Sequence, residues 1–160
     1  MSASPAPAPY VRVERLDARL YAALALGVLL CLAAPLAAPA AAPAAPIVGG
    51  LLLFCLWHFD RVTLVVNADE FVVGYRWLRT RTKLADLERV EPDRLAPLDF
   101  RAARRRGMAL VYVARHGPGV FVRRRGGLPF VASTGAPDEL LAALRARGAP
   151  AAALPPEVAA

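Results

Sequence analysis

The chain contains the stretch LYAALALGVLLCLAAPLAAPAAAPAAPIVGGLLLFCLWHF, residues 20–59, which includes no Asp, Glu, Lys or Arg. A helix rises 1.5 Å per residue, so about 20 apolar residues cross a hydrocarbon core of about 30 Å. The stretch is therefore long enough to cross a bilayer twice. A proline-rich segment, residues 39–46, interrupts it, because proline lacks a backbone donor. We predict two transmembrane helices, at about 20–38 and 46–59, joined by a turn of Pro and Ala.

The second apolar run is short for a full crossing. IVGGLLLFCLWHF, which starts at Ile47, has 13 residues, or about 20 Å of helix. It can lengthen past Asp60 and Arg61 if those side chains reach the lipid headgroups. The aromatic residues 57–59 suit the membrane interface.

The charges around the apolar stretch predict its orientation. Arg12, Arg15 and Arg19 precede it and Arg61 follows it, whereas the connecting turn carries no charge. Because positive residues favour the cytoplasmic side, both termini are expected in the cytoplasm, as in a multi-pass protein of the cell membrane. Residues 1–19 are predicted to be a disordered juxtamembrane segment.

A cleaved signal peptide is the main alternative. Arginines precede an apolar core of suitable length, and small residues in APAAA offer a cleavage site. The second apolar run would then still hold the rest of the chain at the membrane, on its outer side.

The polar part of the chain is basic. Residues 61–148 contain sixteen Arg and one Lys against nine acidic residues, a formal charge of +8 in a chain of +7. The two cysteines, Cys31 and Cys55, lie in the apolar stretch. No disulfide framework and no zinc-binding spacing is present in the sequence.

From Arg61 onward, short runs of β type alternate with turn signals. The runs are RVTLVV (61–66), FVVGYRW (71–77), RTRTKL (79–84), ADLERVEP (85–92), MALVYVAR (108–115), VFVRRR (120–125) and LPFVAS (128–133). We predict six or seven short antiparallel strands, of which MALVYVAR has the strongest strand signal.

The period changes at the end of this region. APDELLAALRARG, residues 136–148, places Leu140, Leu141 and Leu144 on one apolar stripe and ends at Gly148, which predicts an amphipathic helix. Residues 61–148 are therefore expected to form one domain. The following residues, 149–160, are predicted to be a disordered tail.

This element order is that of the pleckstrin-homology (PH)-like barrel, whose open end a C-terminal helix covers. The chain resembles small, two-helix, membrane-anchored bacterial proteins with a PH-like domain, abundant in actinobacteria. The resemblance covers about residues 20–148 and lies in the helical hairpin, VNADEFVVGYRWLRTRTKLADLERVEP, MALVYVARHGPGVFVRRRGGLPFVAS and the DELLAAL helix. It implies a transmembrane hairpin followed by a mainly antiparallel β PH-like barrel, in a family of undefined function.

Motifs of catalysis are absent from the sequence. It contains no P-loop, no dinucleotide-binding glycine motif, no nucleophile elbow and no HExxH. His116 stands in a Gly-Pro turn, and the acidic residues of segment 86–93 are expected on a solvated face. We expect no enzyme activity, no cofactor, no metal and no small-molecule substrate.

Arginine clusters are the candidate binding residues. They are Arg104, Arg105 and Arg106 in a long loop, and Arg123, Arg124 and Arg125 where a strand meets a turn. Close to an anionic leaflet, each base contributes about 1 kcal/mol to binding. The clusters contact lipid headgroups or an acidic partner, or they only keep the domain soluble. Nucleic acid is not expected, because the chain is tethered and aromatic residues do not interleave the clusters.

The sequence thus predicts a membrane-anchored PH-like scaffolding or regulatory module at the cytoplasmic face, with membrane lipids as partners. The alternative is an accessory subunit of a transporter or cell-envelope membrane complex. Its transmembrane hairpin would contact a membrane protein or a second copy, since Gly49 and Gly50 allow close helix packing.

Overall fold

A computed structural model of the chain describes residues 8–41, 43–95 and 110–156. Its strands are β1 (Tyr10–Arg15), β2 (Arg61–Val66), β3 (Glu70–Gly74), β4 (Arg79–Lys83), β5 (Leu87–Leu95), β6 (Leu110–Tyr112), β7 (Gly117–Arg124) and β8 (Phe130–Ser133). Its α-helices are α1 (Ala18–Ala37), α2 (Ala45–His58) and α3 (Pro137–Ala146). The predicted order after Arg61, short strands and then one helix, is confirmed.

The strands form two four-stranded sheets. Sheet A has the order β1-β2-β3-β4 and is antiparallel throughout. Sheet B has the order β5-β7-β8-β6, in which only β6 and β8 run parallel. The domain is therefore mainly antiparallel, as predicted. Among the described residues, no strand pairing joins the two sheets, so they do not form a closed barrel.

The N-terminal segment was predicted wrongly for residues 10–15. These residues form β1, which pairs with β2 along six positions, from Tyr10 opposite Val66 to Arg15 opposite Arg61. β1 departs from the usual pattern of a half-buried strand, because its valines face outward. Val11 and Val13 are 57% and 49% exposed, whereas Glu14 is buried.

One apolar core lies between the sheets. Sheet A contributes Val62, Leu64, Val66, Phe71 and Val73, and sheet B contributes Val90, Val120, Val122, Phe130 and Ala132. The rings of Phe71 and Phe130 meet across the core with their centroids 5.9 Å apart. The inward-facing set in β2 and β3 alternates with exposed or half-buried residues, which is the pattern of a sheet with one covered face.

The C-terminal helix follows the predicted stripe. Leu140, Leu141 and Leu144 of α3 are all buried in the core. The expected disorder after Gly148 is wrong for the next residues, because Ala153 and Leu154 are buried in the same core. A 3-10 turn over Ala151–Ala153 brings them there.

β6 is shorter than the sequence predicts. The MALVYVAR run gives a strand only at Leu110–Tyr112, and this strand pairs in parallel with β8. Residues 108 and 109 of that run lie outside the described residues. The Tyr112 side chain is buried and its hydroxyl lies 2.6 Å from the hydroxyl of Thr80 in β4.

Both predicted apolar helices are present, and they run antiparallel against each other. A Cβ added to Gly27 of α1 would lie 3.1 Å from Leu52, and one added to Gly49 of α2 would lie 3.4 Å from Cys31. These glycines therefore allow the helices to approach closely. By length and composition, α1 is able to span a membrane, while α2 is a shorter apolar helix.

Candidate functional site

The helices leave the β domain where β1 ends and β2 begins. The strand pairing continues past Arg15, because the backbone N–H of Leu16 donates to the carbonyl of Asp60 at 2.8 Å. The next N–H, of Asp17, donates to Ala114 at 2.7 Å, and its carboxylate caps α1 by accepting from Arg19 N at 2.9 Å. We call this part of the domain the helix-proximal end.

Aromatic side chains surround the end of α2. The ring of Trp57 meets that of Trp77, in the turn between β3 and β4, at 4.7 Å and nearly perpendicular. Phe54 lies 5.9 Å from Trp77 and stacks on His58 at 5.6 Å. The two tryptophans are 43% and 65% exposed, while His58 is buried. Half-exposed tryptophans next to an apolar helix are typical of a membrane interface.

Arg76 holds the β3–β4 turn against the end of α2. Its guanidinium lies 4.8 Å from the centre of the Trp57 ring and donates to the Trp57 carbonyl at 3.2 Å. It also contacts the Asp60 carboxylate at 3.3 Å, which Arg61 contacts at 2.7 Å. Partial burial acts to raise the pKa of Asp60, but these two arginines outweigh it and hold the pKa below its ordinary value.

The β3–β4 turn requires glycine at its base. A Cβ added to Gly74 would lie 2.2 Å from the carbonyl oxygen of Leu78 and 2.5 Å from the Cα of Arg79. This close crossing places Trp77 and Leu78, 65% and 56% exposed, at the tip of the turn beside the helices. Two large apolar side chains thus remain in contact with solvent at the helix-proximal end.

A crevice of about 250 Å³ opens beside the start of α1. Its lining residues are Arg15, Leu16, Tyr21, Asp60 and Arg61. Arg15 and Arg61 are directly opposite each other in the β1–β2 pair, and both are exposed. The crevice is therefore basic at its strand side and aromatic at its helix side.

The outer face of sheet A combines apolar and basic residues. Its centre is a valine patch made of Val11, Val13, Val65 and Val72, which alternation places on one face. Its edge strand β4 turns three exposed cations to the same side, Arg79, Arg81 and Lys83, which we call the basic edge. The register confirms their adjacency, because Val72 is opposite Arg81 and Val65 is opposite Val72.

The predicted arginine clusters have different environments. Arg123 contacts Glu88 at 3.4 Å. Arg124 donates to the carbonyls of Leu128 at 3.0 Å and Arg81 at 3.2 Å, so its guanidinium connects the two sheets. Arg104, Arg105 and Arg106 lie outside the described residues. The prediction that the clusters bind lipid or an acidic partner stays a prediction.

Arg123, Arg124 and Arg125 lie away from the helix-proximal end. β4 begins at that end with Arg79, and Arg124 contacts Arg81 farther along the strand. The backbone N–H of Arg125 donates to Asp86, beyond the far end of β4. Arg81 is level with Val65, four residues along β2 from Arg61, so at about 3.3 Å of rise per strand residue the Arg124 contact lies about 13 Å from the helix exit.

Sequence reasoning missed the group around Glu14. Its carboxylate, 5% exposed, accepts from Arg12 Nε at 2.8 Å and lies 3.1 Å from Arg115 Nε. It also accepts from the backbone N–H of Gly135. The alternation in YVRVER was the available signal, but it points polar residues inward and valines outward.

In the described part of the chain, no cluster of three or more His, Cys, Asp or Glu side chains is arranged to hold a metal ion. Comparison of the chain with protein-family models, with curated proteins and with solved structures found no match. The candidate surfaces in the described part of the chain are the helix-proximal end and the outer face of sheet A, because both combine exposed apolar and basic side chains.

Proposed function

We propose that the chain is a membrane-anchored scaffolding or regulatory module, in which α1 and α2 form a transmembrane hairpin that holds a PH-like β domain at the cytoplasmic face. The observation that carries this proposal is the pairing of β1 with β2 along six residues. β1 precedes the two helices and β2 follows them. Strands of one sheet lie on the same side of a bilayer, so the pairing supports two crossings rather than one.

The surface of the helices supports insertion into lipid. Leu29, Leu30, Leu32 and Leu36 of α1 are 61% to 90% exposed. In water this surface is costly at about 25 cal/mol per Å² of apolar area, whereas a bilayer removes the cost. α1 has 20 residues, or about 30 Å of helix, whereas α2 has 14 residues, or about 21 Å, so the return crossing also needs the uncharged connection.

The cytoplasmic orientation rests on the charges nearest the helices. Arg15, Arg19 and Arg61 are exposed at the helix-proximal end. Arg12, by contrast, pairs inside the domain with Glu14 and adds less to the field outside. Three exposed arginines on one side of the hairpin, of which Arg61 also pairs with Asp60, and the absence of charge in its connection favour that side as the cytoplasm.

The surface that we propose for docking is the outer face of sheet A. Its valine patch is partly exposed, and its basic edge attracts acidic groups. Sheet B differs from this basic edge, because two of its described arginines, Arg89 and Arg123, each have an acidic partner, Glu91 and Glu88. An acidic segment of another membrane-associated protein is therefore the partner that fits sheet A.

Site-specific photo-crosslinking in cells tests this function. A photoreactive amino acid at Val13 or Val72 should give a discrete crosslinked product, and the same group at exposed Glu88 should give none. Changing Arg79, Arg81 and Lys83 together to Glu should abolish the product, because the basic edge would repel the acidic segment. Equal products from sheet A and from Glu88, or none from sheet A, would contradict the docking surface.

The accessory-subunit alternative has one observation in its favour. Gly49 packs against Cys31, but the neighbouring Gly50 has no atom within 4 Å of an added Cβ. A small residue on an open helix face allows another transmembrane helix to approach. A crosslinked product from Leu53 of α2, without one from Val13, would support this alternative over sheet A docking.

A further inference from the structure

We propose that the crevice between Arg15, Arg61 and Tyr21 binds the phosphate of one anionic phospholipid headgroup. This inference rests on the proposed membrane anchor and adds a specific lipid site to it. The crevice lies where the strands end and α1 begins. In an inserted hairpin, this is the level of the headgroups.

The two arginines carry more positive charge than the carboxylate beside them neutralises, because Arg61 pairs with Asp60 at 2.7 Å whereas Arg15 has no acidic partner among the described ion pairs. Arg15 and Arg61 are directly opposite each other on one face of the β1–β2 pair. Like charges in this position destabilise a sheet, so a bound anion between them relieves the repulsion. Among the described residues that line the crevice, Asp60 is the one carboxylate, and it is already shared between Arg61 at 2.7 Å and Arg76 at 3.3 Å.

The chemistry of the pair fits a phosphate diester. Guanidinium groups are planar donors that bind two phosphate oxygens at once. Tyr21, one turn into α1 and 51% exposed, presents an apolar ring and a polar hydroxyl at the same level. Exposed apolar residues follow along α1, with Leu26 and Leu29 at 56% and 61%, where acyl chains can lie.

The Arg123–Arg125 cluster fits such a ligand less well. The Arg124 guanidinium donates to the carbonyls of Leu128 and Arg81, and Arg123 pairs with Glu88. The cluster also lies beyond the helix-proximal end, so an inserted hairpin does not bring it to the headgroups. If the lipid binds in the crevice, substituting Arg15 and Arg61 should reduce lipid preference; if it binds at the cluster, substituting Arg123 and Arg125 should do so.

Native mass spectrometry of the full-length chain in detergent tests the site with phosphatidylglycerol and phosphatidylcholine as probes. The parent should retain one phosphatidylglycerol in preference to phosphatidylcholine. In R15Q/R61Q the ratio of bound phosphatidylglycerol to bound phosphatidylcholine should fall roughly tenfold or more, since each base near a lipid surface raises the affinity about fivefold. R89Q/R94Q, which removes two exposed arginines from β5 of sheet B, should keep it.

Three outcomes would overturn the site. They are equal lipid preference in R15Q/R61Q and the parent, loss of preference only in R123Q/R125Q, and displacement of the lipid by an equal concentration of inorganic phosphate. The anchor is tested separately, by resistance of the parent and R15Q/R61Q to extraction from membranes with alkaline carbonate. Extraction of both would refute the anchor, whereas retention of both with unchanged lipid preference would refute the lipid site alone.

Discussion

Glu14 shows how one buried carboxylate attaches the N-terminal strand to the rest of the domain. It links β1 to Arg115 and to the N–H of Gly135, which lies just after β8. A carboxylate with two cationic partners and a backbone donor recovers most of the solvation that burial removes. The valines of the same strand stay exposed because the polar residues occupy its inner face.

Glu14→Gln should therefore destabilise the protein by about 2 kcal/mol. The amide keeps the shape, but it leaves Arg12 and Arg115 without a buried counter-charge; both are about one third exposed, which reduces the loss. The matched control is Glu139→Gln, because Glu139 pairs with Arg12 at 3.0 Å but is 66% exposed. Its cost should be under about 0.5 kcal/mol. Equal urea midpoints for the two variants in detergent would contradict this role.

Tyr75 should make stability depend on alkaline pH. Burial raises the pKa of its phenol to about 12, although its hydroxyl accepts from the N–H of Val113 at 3.0 Å. The folded state therefore keeps a proton that the unfolded state loses near pH 10. The stabilisation is complete below pH 10 and is lost as pH rises to 12, by about 3 kcal/mol.

Tyr75→Phe tests this linkage. Below pH 10 the variant should lose about 1 kcal/mol through the missing hydrogen bond. Between pH 10 and 12 its unfolding free energy should then fall less steeply than that of the parent. Parallel curves for parent and variant over that range would show that another group controls the alkaline transition.

The arginine clusters show what the sequence can predict at the scale of residues. RRR at 123–125 indicates positive charge correctly, but the three side chains have different environments. Arg124 meets the Leu128 carbonyl because the turn after β7 folds back, and it meets the Arg81 carbonyl because two sheets approach. Neither contact follows from sequence spacing. The crevice likewise depends on the pairing of Arg15 with Arg61, which are far apart in the chain.

At the scale of elements, α3 supplies a test of the core. Leu144→Asp should destabilise the protein by about 4 kcal/mol, since Leu144 is fully buried and its place would hold an unpaired charge. Ala142 is exposed on the same helix, so Ala142→Asp should cost less than about 1 kcal/mol. Thermal melts of both variants give the comparison. Similar melting temperatures would mean that α3 does not cover the core.

The elements with regular alternation were predictable, and the exceptions have physical causes. β2, β3 and β4 place buried and less buried residues in turn, so their period is visible in the sequence. β1 has its valines on the exposed face and its polar residues on the inner face, so its alternation does not identify it as a strand of the core. β6 has few residues and pairs in parallel with β8, whereas the sequence predicts antiparallel strands. The segment after Gly148 is rich in Ala and Pro, yet Leu154 reaches the core.

At the scale of the whole molecule, both termini should lie in the cytoplasm. A reporter active only outside the cytoplasm should give no signal when fused at residue 1 or residue 160. The same reporter fused after residue 40 of a truncated chain should give a signal, because α1 alone would carry it across. Signal from one full-length fusion and not the other would show a single crossing and would exclude the β1–β2 pairing in cells.

The β1–β2 pairing has a consequence for biosynthesis. The nascent chain releases β1 before α1 and α2, and its partner only after both, so at about 5–20 residues per second β1 waits several seconds for β2. A copy whose helices enter the bilayer in the wrong arrangement cannot recover that strand. It keeps β2 as an open edge, which chaperones and proteases can recognise. Completion of sheet A would thus act as a checkpoint for correct insertion.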